Sequence, residues 1–143
     1  MALPEHIYLE IVTAERRLYS GWVDQVTVPA SQGYLGILPG HAPLLAELGI
    51  GEISFKRGYQ TEHLFCSGGF LEVLPERVIV LAQTAELASE IDINRAQQAK
   101  LRAERRLSAR DSGVDYHRAQ LALLRAFSRL DAARRFRRRP AGF

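Results

Sequence analysis

Cysteine is nearly missing from this chain, with Cys66 the single example among 143 residues. One thiol closes no internal disulfide and supplies no cluster of soft metal ligands, so a reduced packing residue is its expected role. No apolar run approaches the roughly 18 residues that a membrane-crossing helix needs. The opening Met1-Ala2-Leu3-Pro4-Glu5-His6 has neither the basic nor the apolar stretch of a secretion signal. Together these absences predict a soluble, cytoplasmic chain. No proline falls between Pro75 and Pro140, and nine of the eleven glycines lie at or before Gly69. Helix interrupters therefore crowd the first part and are rare in the second.

Positive charge is scarce in the first part as well. Residues 1–90 hold 5 Lys/Arg against 11 Asp/Glu, whereas residues 91–143 hold 14 against 5, so the net charge of +3 hides an acidic object joined to a basic one. The expected division is a sheet domain over residues 1–87 and a helical arm over residues 88–143. About ninety residues suffice for a modest independent core but not for a large enzyme cleft.

Short runs of alternating polar and apolar residues, rich in β-branched and aromatic types, predict strands over 6–13, 22–28, 52–56, 62–66, 70–74 and 77–81. Turn formers stand between them, including Ser20-Gly21, Ser31-Gln32-Gly33, Pro39-Gly40, Gly49-Ile50-Gly51, Ser67-Gly68-Gly69 and Pro75-Glu76. This pattern points to an antiparallel sandwich or barrel, and the whole chain to an α+β class.

From Ile91 the period becomes helical. Ala96, Ala99, Ala103 and Leu107 make one stripe, and Ala119, Ala122, Ala126, Leu130 and Ala133 a second, with an interruption over 108–113. An antiparallel α-helical hairpin follows, turning at Asp111-Ser112-Gly113. Asp92 or Ser89 is placed to cap the first helix and Asp115 the second. Alanine stripes bury little apolar area, so a marginal hairpin with few contacts to the sheet is expected.

The four histidines, His6, His41, His63 and His117, lack metal-ligand spacing, and no metal site is expected. No nucleophile elbow, phosphate loop or carboxylate pair nominates a catalytic centre. The segment 33–45 is dense in glycine and proline. It reads as a rigid corner or as a preformed loop presenting His41 to a partner.

The arginines say more. Arg118, Arg125 and Arg129 fall seven and four residues apart, on one helical face, and Arg95 and Arg102 repeat the spacing of seven on the first helix. Folded together, these guanidinium groups beside Asp92 suit the phosphates of a nucleotide, with Ala96 leaving room for a base. A solvated basic face accounts for the same pattern. The run from Arg134 to Arg139 reads as a frayed cationic tail.

Four ordered motifs carry a resemblance. These are 11–15 followed by Tyr19-Ser20-Gly21, then Gly33-x-Leu-Gly-Ile-x-Pro-Gly-His-Ala-Pro-Leu-Leu45, then 67–73, then Val78-x-Val-Leu-Ala-x-Thr-Ala85. With them the chain resembles the ε subunit of F-type ATP synthases over nearly its whole length. The pattern Ile/Leu-Asp-x-x-Arg-Ala of family members that bind ATP stands here at Ile91-Asp92-Ile93-Asn94-Arg95-Ala96.

The resemblance implies a β-sandwich of about ten strands followed by the helical hairpin, in a non-catalytic subunit of the rotor stalk. The implied position is peripheral, on the cytoplasmic face of the bacterial inner membrane. The implied partners are the γ subunit and c-ring for the sandwich, with Tyr34, His41 and Leu44 at the rotor contact. The α and β subunits are implied for the helices, with Arg118, Arg125 and Arg129 meeting β and restraining ATP hydrolysis. No cofactor is required. The implied regulatory ligand is ATP, at Glu86, Ile91, Asp92, Arg95, Ala96, Arg102, Arg118, Arg125 and Arg129. Many members of the resembled family carry an acidic residue where this chain has Tyr34 and a basic one where it has Leu124.

Two other classes fit parts of the sequence. A nucleic-acid-binding module accounts for the arginine face, although aromatics are not interleaved with it. A small hydrolase on the sandwich is the other, although no residue set nominates itself.

Overall fold

A computed structural model describes residues 3–109 and 113–138. Seven strands come first: β1 (Ile7–Val12), β2 (Arg17–Val23), β3 (Gln25–Ala30), β4 (Gly33–Ile37), β5 (Leu44–Arg57), β6 (Gln60–Leu74) and β7 (Arg77–Leu87). A 3-10 turn at Ala88–Glu90 then leads into α1 (Ile93–Ser108) and α2 (Tyr116–Arg137). The strands join in the order β2-β1-β7-β6-β5-β3-β4. All pairings are antiparallel except β1 with β7, which run parallel. The first and last strands of the sheet thus lie side by side, a pairing across some seventy residues that local pattern does not encode.

The sheet folds over on itself. Tyr19 of β2 and Phe55 of β5 have ring centroids 4.3 Å apart, although three strands separate β2 from β5 in the sheet order. In a flat sheet, at about 4.8 Å per strand, they would lie some 19 Å apart. The crease responsible is visible in the register. Leu48 pairs with Gly69 and Ile50 with Ser67, while Ser67 pairs with Thr84 and Gly69 with Ala82. Gly49, Gly68 and Gln83 are left opposite one another in a row across three strands. Inward-facing residues change parity there. Leu44, Ala46 and Leu48 precede the crease in β5, and Ile53 and Phe55 follow it, all in one core.

The glycine clusters that the pattern marks as turns are therefore this crease. Gly68 and Gly69 have φ of +73° and +118°, and a Cβ on Gly69 would sit 2.1 Å from the Leu81 carbonyl oxygen. Three long strands crossing the crease account for six of the ten expected segments, so the sandwich consists of seven continuous strands. Ser20-Gly21 likewise lies inside β2. Besides the β1–β2 connection at 13–16, turns lie at Ser31-Gln32, Pro39-Gly40, Gly58-Tyr59 and Pro75-Glu76 among the described residues.

The helices start where their caps place them. Asp92 accepts a hydrogen bond from the Arg95 N–H and Asp115 from the Arg118 N–H, each at 3.1 Å. The alanine stripes face each other, with Ala96, Ala103, Ala119, Ala126 and Ala133 buried. Of the expected hairpin turn, Asp111 and Ser112 lie outside the described residues. Of the expected frayed run, Arg134, Arg135 and Arg137 belong to helix α2, which continues to Arg137, and Arg139 lies outside the described residues.

The arm is also better seated than alanine stripes alone suggest. Phe65 points away from the main core and is fully buried in a second one, with Ala88, Ile91, Ala132 and Ala133. Covering one phenylalanine contributes roughly 1.5–3 kcal/mol. The expectation of few sheet contacts fails because strand alternation turns Phe65 outward, between inward Leu64 and Cys66, and α2 covers it.

Candidate functional site

Where α1, α2 and the end of β7 meet, a cavity of about 430 Å³ opens, lined by Glu86, Glu90, Asp92, Arg95, Ala96, Ala99, Arg102, Ala122, Arg125 and Arg129. Helical periodicity explains the convergence. Arg95 and Arg102 lie two turns apart on α1, Arg125 and Arg129 one turn apart on α2, and the small side chains of Ala96, Ala99 and Ala122 leave the volume open. Seven of the nine expected nucleotide residues line it. Ile91 does not, because it is buried in the second core under α2. Arg118 does not either: it lines a separate space with Arg106, Asp115 and Ala119 near the far end of the hairpin.

Each wall carboxylate has its own partner. Nε of Arg129 donates to Oε1 of Glu86 at 2.9 Å, and the same guanidinium lies over the Phe65 ring, 4.2 Å from its centroid. Asp92 is engaged by the Arg95 backbone N–H. Glu90 is gripped by both terminal nitrogens of Arg16, at 3.1 and 2.5 Å. Hydrogen bonding to Arg16 holds the Glu90 carboxyl below its ordinary range and raises the Arg16 guanidinium in turn. The Arg95, Arg102 and Arg125 guanidinium groups have no carboxylate partner among the described residues. Three free donor forks in one cavity attract a polyanion.

The sequence reading missed Glu90, Ala99 and Ala122, and it missed Arg16 entirely. Ala99 and Ala122 were legible as members of the alanine stripes. Arg16 comes from the β1–β2 turn, 74 positions from its partner, and no local signal announces it.

The three expected rotor-contact residues are not together. Tyr34 on β4 lies against Gly51, accepts the Glu52 N–H at 3.1 Å, and borders a space with Asp131 and Arg135 of α2. Leu44 starts β5 and His41 precedes it, beside the Pro75 turn, where the Gly40 N–H donates to the Pro75 carbonyl, whereas Tyr34 lies against the middle of that strand. Leu44 packs on the main core, whereas Leu45 is 73% exposed. Strand alternation makes the exposed leucine the next one along.

The histidines stay dispersed, and no group of metal-holding side chains occurs among the described residues. His6 pairs with Asp24, the His41 ring lies against the Ala42 carbonyl, and His63 is 3.7 Å from Glu52. The Glu52 carboxylate is also engaged by Arg135 of α2.

A folded-over β-sandwich bearing a basic helical hairpin, with an arginine-lined cavity between the helices and the sheet, defines a two-part protein of sheet and helical arm. Residues 6–88 match the beta-sandwich domain of the ATP synthase delta/epsilon chain, and residues 89–134 match the long alpha-helix domain of the same chain. This chain belongs to the ATP synthase delta/epsilon family. The ATP synthase epsilon chain of Solibacter usitatus is 52% identical over 103 residues, covering 72% of this chain and 77% of that one. That of Anoxybacillus flavithermus is 50% identical over 104 residues, covering 73% and 78%. A chain in the Euglena gracilis mitochondrial ATP synthase, from a structure of OSCP, F1 and c-ring, superposes with a TM-score of 0.80 at 24% identity, over 93% of this chain and 84% of that one. The chain is therefore a non-catalytic component of an ATP synthase. Nothing in these comparisons supports a nucleic-acid-binding module.

Proposed function

We propose that this subunit works on the central stalk as an ATP-responsive brake: ATP in the cavity holds the hairpin folded, and loss of ATP frees α2 to restrain hydrolysis. The arginine-lined cavity carries this reading. ATP presents a triphosphate to Arg95, Arg102 and Arg125 and a base to the alanine floor, so it joins the two helices through contacts that the extended arm lacks. The energy required is small. Ligand at about ten times its dissociation constant stabilises the bound form by roughly 1.4 kcal/mol, enough to shift a balanced equilibrium about tenfold.

In this reading the sandwich meets the γ subunit and c-ring, through the end of the sheet that carries His41 and Leu45. The released helix meets the α and β subunits, with Arg118, Arg125 and Arg129 supplying charge toward β. The subunit couples proton-driven rotation to ATP synthesis without chemistry of its own. No helix among the described residues is long and apolar enough to cross a membrane. In this reading the subunit sits peripherally, on the cytoplasmic face of the bacterial inner membrane.

Calorimetric titration of the full chain with ATP tests the cavity. Binding at millimolar ATP or better, weakened at least several-fold by Arg125→Ala or Arg102→Ala, is expected. No heat at millimolar ATP refutes the site. Deleting residues 88–143 should raise ATP hydrolysis by the assembled complex, and an unchanged rate would remove the brake.

A further inference from the structure

Of the three carboxylates in the cavity wall, two have cationic partners, and Glu90 alone takes its partner from outside the helical region. Glu86 is paired with Arg129 of α2, whereas Asp92 accepts the Arg95 backbone N–H as the cap of α1 and keeps its charge. The partner of Glu90 is Arg16, presented by the tight turn between β1 and β2. That turn is well tied. The Thr13 N–H donates to the Arg16 carbonyl at 2.9 Å, and Thr13 Oγ1 accepts the Glu15 and Arg16 N–H groups at 3.3 Å each. The two-pronged contact to Glu90, at 3.1 and 2.5 Å, therefore comes from a preorganised base.

An unpaired carboxylate here would face the triphosphate directly, since Glu90 lines the same cavity as Arg95, Arg102 and Arg125. Resting on the ATP reading above, we propose that Arg16 is a positioning residue of the nucleotide site: it holds Glu90 in a neutral pair at the wall, so the sandwich controls the charge that the triphosphate meets. The consequence is a coupling between two parts of the chain. The site has its full anion affinity only while the segment joining sheet to helix is seated against the β1–β2 turn. Arg16 acts through Glu90 and not by touching the ligand.

A double-mutant cycle on the full chain tests this, using ATP calorimetry at low and at physiological salt on the parent, Arg16→Ala, Glu90→Gln and the double variant. Arg16→Ala should bind ATP roughly three- to tenfold more weakly at low salt, with the deficit shrinking as salt rises. Glu90→Gln should bind at least as tightly as the parent. The double variant, whose net charge equals the parent's, should return to within about twofold of it. The decisive readout is the coupling: Glu90→Gln should restore far more affinity in the Arg16→Ala background than it adds to the parent, because a merely structural Arg16, or one that contacts phosphate, leaves the effect of Glu90→Gln the same in both backgrounds. That result overturns the proposal, as does weaker binding by Glu90→Gln, which keeps Arg16 in place. If the parent itself binds no ATP, the nucleotide reading falls and this inference with it. A parent that binds ATP while Arg16→Ala matches it removes only the role of Arg16.

Discussion

Nε of Arg129 donates to Oε1 of Glu86 at 2.9 Å while its guanidinium covers the Phe65 ring. One side chain therefore forms part of the cavity wall and part of the seat of α2 on the sandwich. Arg129→Ala removes a charge-assisted hydrogen bond and a cation–π contact, and it should lower the local stability of α2 by about 1–2 kcal/mol. Hydrogen exchange should show faster opening in α2 with β6 unchanged. Arg129→Lys should recover part of the loss, since it keeps the charge and loses the planar group that lies over Phe65.

The crease predicts unequal tolerance of its glycines. At Gly69 φ is +118° and a Cβ would meet the Leu81 carbonyl oxygen at 2.1 Å, whereas a Cβ at Gly36 meets nothing within 4 Å. Gly69→Ala should cost about 3 kcal/mol or more, and Gly36→Ala should stay within about 0.5 kcal/mol of the parent. Urea denaturation midpoints of the two variants separate these outcomes.

Asp24 gives the fold an acid-sensitive contact. The Gly58 N–H donates to one of its oxygens at 2.8 Å, and the His6 ring lies 2.9 Å from the other. These contacts, the Gly58 bond first, hold its carboxyl below the ordinary value of 3.8. A lowered folded value means that the stabilisation is fully present above the unfolded value, and it is lost as pH falls through the lower, folded one. Asp24→Asn should therefore flatten the dependence of stability on pH below about 4. Thermal denaturation across that range measures it.

Burial pushes the Cys66 thiol up to about 12. With no exposed surface, it should resist thiol reagents at pH 8 and react only when the sandwich opens. Its labelling rate should track global unfolding. Rapid labelling of the native chain would contradict the buried placement.

What the sequence determined by itself is what short-range periodicity carries. Helix caps at Asp92 and Asp115, the alanine stripes, the strand alternation and the grouping of arginines every seven or four residues are all written within one or two turns of chain. They were sufficient for the sandwich, the hairpin and most of the cavity wall, and the ordered motifs were sufficient for the family. Tertiary structure alone decided the rest. The parallel β1–β7 pair, the crease that makes glycine clusters part of continuous strands, the burial of Phe65 under Ala132 and Ala133, and the pairing of Arg135 with Glu52 and of Arg16 with Glu90 each join residues far apart in sequence. A glycine permits a turn or a crease equally well, and an arginine pairs with whichever carboxylate the fold brings near, so the choice is made by the packing of distant segments and not by their neighbours in the chain.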